Sequence, residues 1–176
     1  MSEQALAPAP KVPVVMGLPP GDPTFAGFQW FVQYFMAVPA DAMPDVTVLQ
    51  ACYDQANNLA YYGLAYVPSQ PSSPTIYAFA VYNLAAAILA QTAIDNPDAP
   101  PPYNTYWSTF QASRGLNNFV AGLINQAHDQ GTGEGTYILP QLAGMTLFDL
   151  QLTKTPWGQQ YLMFAGEWGT IWGLTI

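Results

Sequence analysis

The chain holds too few charges to dress an ordinary globule. Three Lys and Arg and eleven Asp and Glu are all that 176 residues carry, while 51% are hydrophobic and 14% aromatic. A soluble domain has about 25% charged residues. It relies on that charged, patch-free surface to stay dissolved as a single copy. Here the exterior must be uncharged polar groups, or apolar groups that another chain covers. An obligate many-subunit assembly meets that condition, because such interfaces resemble a domain core cut in half. The first expectation is therefore a part and not a free-standing machine.

The same scarcity removes whole classes of partner. Affinity for nucleic acid comes from clustered Lys and Arg that release counterions, and the three basic residues, Lys11, Arg114 and Lys154, are scattered in a chain of net charge −8. Anionic lipid is excluded on the same ground. No membrane span is expected: the longest apolar run, Ile76–Ala90, is interrupted by Asn83 and is shorter than the roughly 20 residues that cross a bilayer. The first ten residues lack the basic and apolar regions of a secretory signal. Cys52 is the single cysteine, which rules out a disulfide within the chain and suits a small buried hydrophobe.

The pattern along the chain predicts a mainly α protein, a small helical bundle with a short β-hairpin and extended N- and C-terminal arms. Residues 1–21 hold five prolines and read as an extended, polyproline-like arm, either a free tail or a strap on a neighbouring subunit. The helical domain follows at 22–165. Asp22-Pro23 is the expected start of a helix with Phe25, Phe28, Val32 and Phe35 on one face and Trp30, Phe31 and Tyr34 on the other flank. Asp45 caps a second helix, with Val46, Leu49, Tyr53, Ala56 and Ala60 inside and Gly63 at its end. Val67–Pro74 is a linker, after which Thr75 opens the most hydrophobic helix, about Ile76–Ile94. Trp107, Phe110, Leu116, Phe119, Val120 and Leu123 form a further helical face, weakened by Gly115.

The stretch Gly122–Leu139 is expected to be strand, glycine turn, strand, with Gly131, Gly133, Glu134 and Gly135 at the tip; helix is the alternative for its first half. Leu147–Thr153 reads as a short helical turn, and Thr155-Pro156 starts a helix through about Phe164. Residues 166–176 form a C-terminal tail of apolar anchors spaced by glycines, with Trp168, Trp172 and Ile176 as knobs for a neighbour's pocket, or folded back on their own core.

Catalytic groups are thin. The one histidine, His128, has neither the further ligands that zinc needs nor a partner nucleophile in a G-x-S-x-G or Cys–His arrangement. Gly131–Gly135 lacks the lysine of a phosphate loop, and its glutamate would repel phosphate. Asp129 with Glu134 imitates a carboxylate pair, as any acidic turn does. The five tryptophans suit core and interface use better than sugar stacking. The expectation is no enzyme and no cofactor.

Thr155–Leu162 (TPWGQQYL) resembles the C-terminal Thr-Pro-aromatic-Gly-Gln-x-aromatic signature of a family of head–tail connector (adaptor, head-completion) proteins of tailed bacteriophages. Phe28, Phe31, Phe35, Ala37-Val38-Pro39 and then Asp45, Val48 and a polar helix through Ala56 are similar to that family's aromatic opening. The resemblance covers roughly residues 25–165. Trp157 stands where tyrosine is usual, and Asp95–Arg114 reads as an insertion.

The resemblance implies a non-catalytic virion protein assembled in the host cytoplasm. Its place would be the neck, in a ring, usually dodecameric, between the portal protein and a tail or tail-terminator protein. DNA would pass the lumen without specific binding, and no membrane is involved. A terminal segment engages the portal, which makes Trp157, Tyr161, Phe164, Trp168, Trp172 and Ile176 the candidate interface residues. A negative lumen fits the acidic balance, since it repels the DNA backbone. Two other functions compete: a minor capsid, decoration or tail-completion protein, and a small carbohydrate-binding or hydrolytic domain.

Overall fold

A computed structural model of the chain describes residues 21–67, 73–117, 126–129, 132–135 and 146–172, the side chains of 126–129, 132–135 and 167–172 excepted. Six α-helices make the described fold: α1 (Phe25–Tyr34), α2 (Val46–Leu59), α3 (Ile76–Thr92), α4 (Tyr106–Ser113), α5 (Leu147–Leu152) and α6 (Pro156–Trp172). Short 3₁₀ turns at Ala40–Ala42, Tyr62–Tyr66 and Tyr103–Thr105 lie between them.

The third helix is the axis. Its side chains are apolar all round, and such a helix has to be covered on every side. Thirteen of its seventeen residues are buried, from Tyr77 to Ala90. The alanines at 85–87 and 90 are fully enclosed and keep the neighbouring backbones close. α2 and α6 pack along it, and α1, α4 and the Tyr62–Tyr66 turn complete the cover. Leu84, Leu89 and Val81 have no exposed surface. Each such side chain contributes about 1.5–3 kcal/mol through burial. Thr75 caps the helix as expected, its hydroxyl accepting from the Ala78 amide at 3.0 Å.

α1 begins later than Asp22-Pro23 suggests. The N-cap is Thr24, whose Oγ1 accepts from Gly27 N at 3.1 Å, while its own amide donates to the Tyr82 hydroxyl at 2.9 Å. Pro23 supplies a carbonyl to the Tyr53 hydroxyl instead, at 2.8 Å. The buried face is Gly27, Phe28, Phe31 and Val32. Phe35, expected inside, lies past the helix end and is 55% exposed, and Phe31 takes its place. In α2, Asp45 caps as expected, and Leu49, Cys52, Tyr53 and Ala56 are buried; Val46, expected inside, is exposed in the first turn.

α4 is shorter than the expected Trp107–Leu123 face. Gly115 does not weaken the helix but closes it: at φ +61° its amide bonds Ala112 O, and the next amide, of Leu116, bonds Gln111 O at 2.9 Å. That paired pattern around a left-handed residue is the Schellman helix end, and it favours glycine. Phe119, Val120 and Leu123 lie outside the described residues. α6 departs in the opposite sense. It does not stop near Phe164 but runs to Trp172 through Gly166 and Gly169. Glycine inside a helix costs only about 1 kcal/mol, whereas proline is the true breaker, and no proline follows Pro156.

The mainly helical expectation holds; a β-hairpin as an element of the fold is not supported. Besides an isolated parallel bridge between Gly21 and Pro74, strand pairing among the described residues is confined to two four-residue segments, Gln126–Asp129 and Thr132–Gly135, aligned antiparallel with Gln126 opposite Gly135 and Asp129 opposite Thr132. So short a two-stranded pair is at best marginal on its own. Gly133, Glu134 and Gly135, expected at a tip, lie along the second segment. Gly131, Ile176 and most of the N-terminal arm lie outside the described residues.

Candidate functional site

The Thr155–Gln159 segment is the junction between α5 and α6, and most residues in it have a local task. Thr146 and Asp149 start α5 with a reciprocal capping box. Three residues past its end, Thr155 is fully buried, and its hydroxyl accepts from Gly158 N at 3.0 Å. Pro156 follows at the first helical position, where its missing N–H is no loss. Gly158 sits against the Leu152 carbonyl, where a Cβ has no room. Gln159 Nε2 donates back to Thr153 O at 2.6 Å. The segment that resembles a connector signature is thus also what a tight helix–turn–helix corner requires.

Around this corner the expected interface aromatics divide. Tyr161 is buried, and burial pushes its phenol above the usual range although a hydrogen bond with the Tyr61 backbone pulls the other way. Trp157 and Phe164 are half-buried against the core. Trp157 stacks on Phe110 at 6.0 Å, with the Arg114 guanidinium over both rings, 4.6 Å from Phe110 and 5.6 Å from Trp157. Lys154 Nζ donates to Gly115 O at 3.1 Å. Both basic residues that the structure describes are therefore engaged with the protein's own rings and backbone at the end of α4. Trp168 and Trp172 lie on the last turns of α6, beyond the described side chains.

A shallow cleft of roughly 480 Å³ lies between the loop Ala42–Asp45 and the segment Ile94–Pro97. It has a carboxylate on each side, and both are already engaged. Asp45 accepts from the Thr47 hydroxyl at 2.6 Å and the Thr47 amide at 2.8 Å, which lowers its pKa. Asp95 accepts from the amides of Trp107 at 2.7 Å and Ser108 at 3.1 Å. Burial raises the Asp95 pKa, but the Ser108 hydroxyl and these amides outweigh it, so the group lies below the ordinary value. Two carboxylates held ionised as helix caps are poor proton donors.

The surface feature that the sequence did not single out is aromatic. Trp30, Tyr34 and Phe35 cluster at the end of α1, with ring centroids 4.9 Å (Trp30–Tyr34) and 5.7 Å (Trp30–Phe35) apart. The Trp30 indole N–H has no hydrogen-bond partner among the described residues although its nitrogen is buried. A second cluster stands on the Tyr62–Tyr66 turn, where Tyr62 and Tyr66 are 62% and 71% exposed. Their rings meet edge-on at 5.7 Å, and Tyr62 meets Tyr77 in the same way at 5.7 Å. Leu59, Ile94, Leu147 and Phe148 add further exposed apolar groups. The run Tyr61-Tyr62-Gly63-Leu64-Ala65-Tyr66 directly before a linker was the available signal, and only tertiary packing decides that Leu64 turns in while two tyrosines turn out.

Of the remaining candidates, His128 lies opposite Gly133 in the paired segments. Cys52 is buried beside Thr92, Sγ to Oγ1 3.8 Å, and burial pushes its thiol up. Among the described residues no group of three or more His, Cys, Asp or Glu is placed to hold a metal ion, and no helix is long and apolar enough to cross a membrane. No protein-family model, curated protein or solved structure matches the chain.

Proposed function

We propose that this chain is a structural subunit of a ring in the neck of a tailed-phage virion, joining portal to tail around the DNA path. The observation that carries the reading is the pair of exposed aromatic clusters, Tyr34 and Phe35 around the half-buried Trp30, and Tyr62 with Tyr66, on a surface with very few charges. Aromatic side chains are the usual anchors of protein interfaces, and large exposed apolar patches mark such contacts. A ring subunit presents two different lateral faces, which accounts for two clusters on separate elements. The acidic balance suits a conduit that DNA must leave freely, and the engagement of Arg114 and Lys154 within the fold takes two of the three cations away from phosphate.

Native mass spectrometry of the purified full chain, alone and with the portal protein of the same gene cluster, tests the reading. A closed ring of defined copy number, twelve by the resemblance, that binds the portal supports it. A monomer at tens of micromolar, or trimers or pentamers without portal affinity, overturns it.

A further inference from the structure

Between Asp22 and Asp41, and again between Asp54 and Asp95, the chain has no Asp, Glu, Lys, Arg or His. Tyr34 and Phe35, around the half-buried Trp30, belong to the first stretch, and Tyr62 with Tyr66 to the second. The two clusters also stand on different flanks of the fold. α1 packs on α2 and α3, whereas the Tyr62–Tyr66 turn packs on α3 and α6. In a chain of net charge −8, most pairings of two copies bring like charges together, which costs free energy. The two uncharged stretches are where copies can meet without that cost.

The clusters differ in how they present their rings. Phe35 is 55% exposed and lies parallel to the buried Phe31, with centroids 4.9 Å apart and planes at 6°. That stacking takes one face of the Phe35 ring and leaves the opposite face to offer. Tyr62 and Tyr66 stand at 90°, so an approach along the normal of one ring meets the edge of the other. Ring edges carry the positive part of the aromatic quadrupole and ring faces the negative part, and edge-on-face contact is preferred to a face-on-face sandwich. A cluster offering a face and a cluster offering an edge therefore complement each other better than either complements itself. Such a head-to-tail contact is the kind that closes rings, unlike a two-fold one. Both clusters are small against the roughly 800 Å² that each partner commits to a stable interface. They suit its centre, with exposed neutral amides of the adjoining turns, such as Gln33 and Asn58, in its rim.

We propose that the Tyr62/Tyr66 cluster of one copy seats on the Tyr34/Phe35 cluster of the next, the two faces forming one repeated contact. The inference rests on the ring reading and adds the occupant: a second copy of this chain covers both clusters, and neither is left for portal or tail.

The test uses the full chain in two variants, Phe35→Asp and Tyr66→Asp, each of which spoils one cluster and keeps the other. Alone, each should stay monomeric in native mass spectrometry at concentrations about tenfold above those at which the wild type assembles, since every contact then includes one spoiled partner. Mixed in equal amounts, they should form a one-to-one complex and nothing larger. The intact tyrosine pair of the Phe35→Asp copy meets the intact Phe35 of the Tyr66→Asp copy, and both outer faces are dead. Tyr34→Asp replaces Phe35→Asp should that variant lose its helical circular dichroism. A ring that survives either substitution overturns the inference and leaves the ring reading standing. A homodimer of either variant overturns it as well, because each cluster would then pair with itself, and so does a mixture that stays monomeric while the wild type assembles. A wild-type chain that never assembles removes the ring reading and this contact together.

Discussion

The Trp107 indole N–H donates to the Ala42 carbonyl oxygen at 2.9 Å across a fully buried contact. One side chain thereby joins the start of α4 to the loop between α1 and α2, elements 65 residues apart in sequence. Its backbone amide, meanwhile, is held by Asp95. Trp107→Phe removes the donor, leaves a buried carbonyl without its partner and opens a small void. The expected loss is about 2–4 kcal/mol of unfolding free energy. Urea unfolding measures it, and a loss under about 1 kcal/mol would show that the carbonyl finds another partner.

Ala37 adopts φ +54° in the turn after α1 and is exposed there. A left-handed backbone costs an L residue about 1–2 kcal/mol, a cost that glycine escapes. Glycine also makes the unfolded chain freer, which offsets roughly half of the gain. Ala37→Gly is expected to stabilise the protein by up to about 1 kcal/mol. A lower thermal midpoint for the variant would contradict the strain argument.

Gly158 is the least replaceable glycine of the α5–α6 corner. Its backbone is ordinary helix, but a methyl group there would meet the Leu152 carbonyl carbon and oxygen. Backbone is what it would strike, so the corner has to open. Gly158→Ala should cost about 2–4 kcal/mol despite alanine's better helix propensity. Gly166, with open space around its Cβ position, is the control: Gly166→Ala should gain a few tenths of a kcal/mol to about 1. Equal effects at the two sites would refute the steric account.

Stability should fall at both ends of the pH scale. Asp45 and Asp95 have lowered pKa values in the fold, so their contribution is present above the ordinary carboxylate pKa and is lost as pH drops through the depressed values. Burial raises the phenols of Tyr53, Tyr77 and Tyr161 above the ordinary value of 10.0. Their contribution is present below about pH 10 and is lost as pH rises through the raised values. Thermal midpoints should be flat from about pH 5 to 9, declining below about 4 and above about 10. In Asp95→Asn the acid limb should be shallower.

The helix starts were legible in the sequence where a side-chain oxygen stood next to the apolar run: Asp45, Thr75 and Thr155 all cap as read. The exception is Asp22-Pro23, because Thr24 offers an equally good cap and the choice falls to the long-range bond with Tyr82. Glycine misled in both directions. At 115 it closes a helix that hydrophobic spacing would continue, and at 166 it does not stop one. The interface residues were the hardest to place. Composition cannot tell Tyr161 from Tyr62 and Tyr66: the first is buried, and the other two are bare only through the packing of their turn on α3 and α6.

α3 has almost no free face, and both α2 and α6 pack along it. An interior filled to that density passes strain on and does not absorb it, so a displacement of either flanking helix would be felt by the other through the buried helix they share.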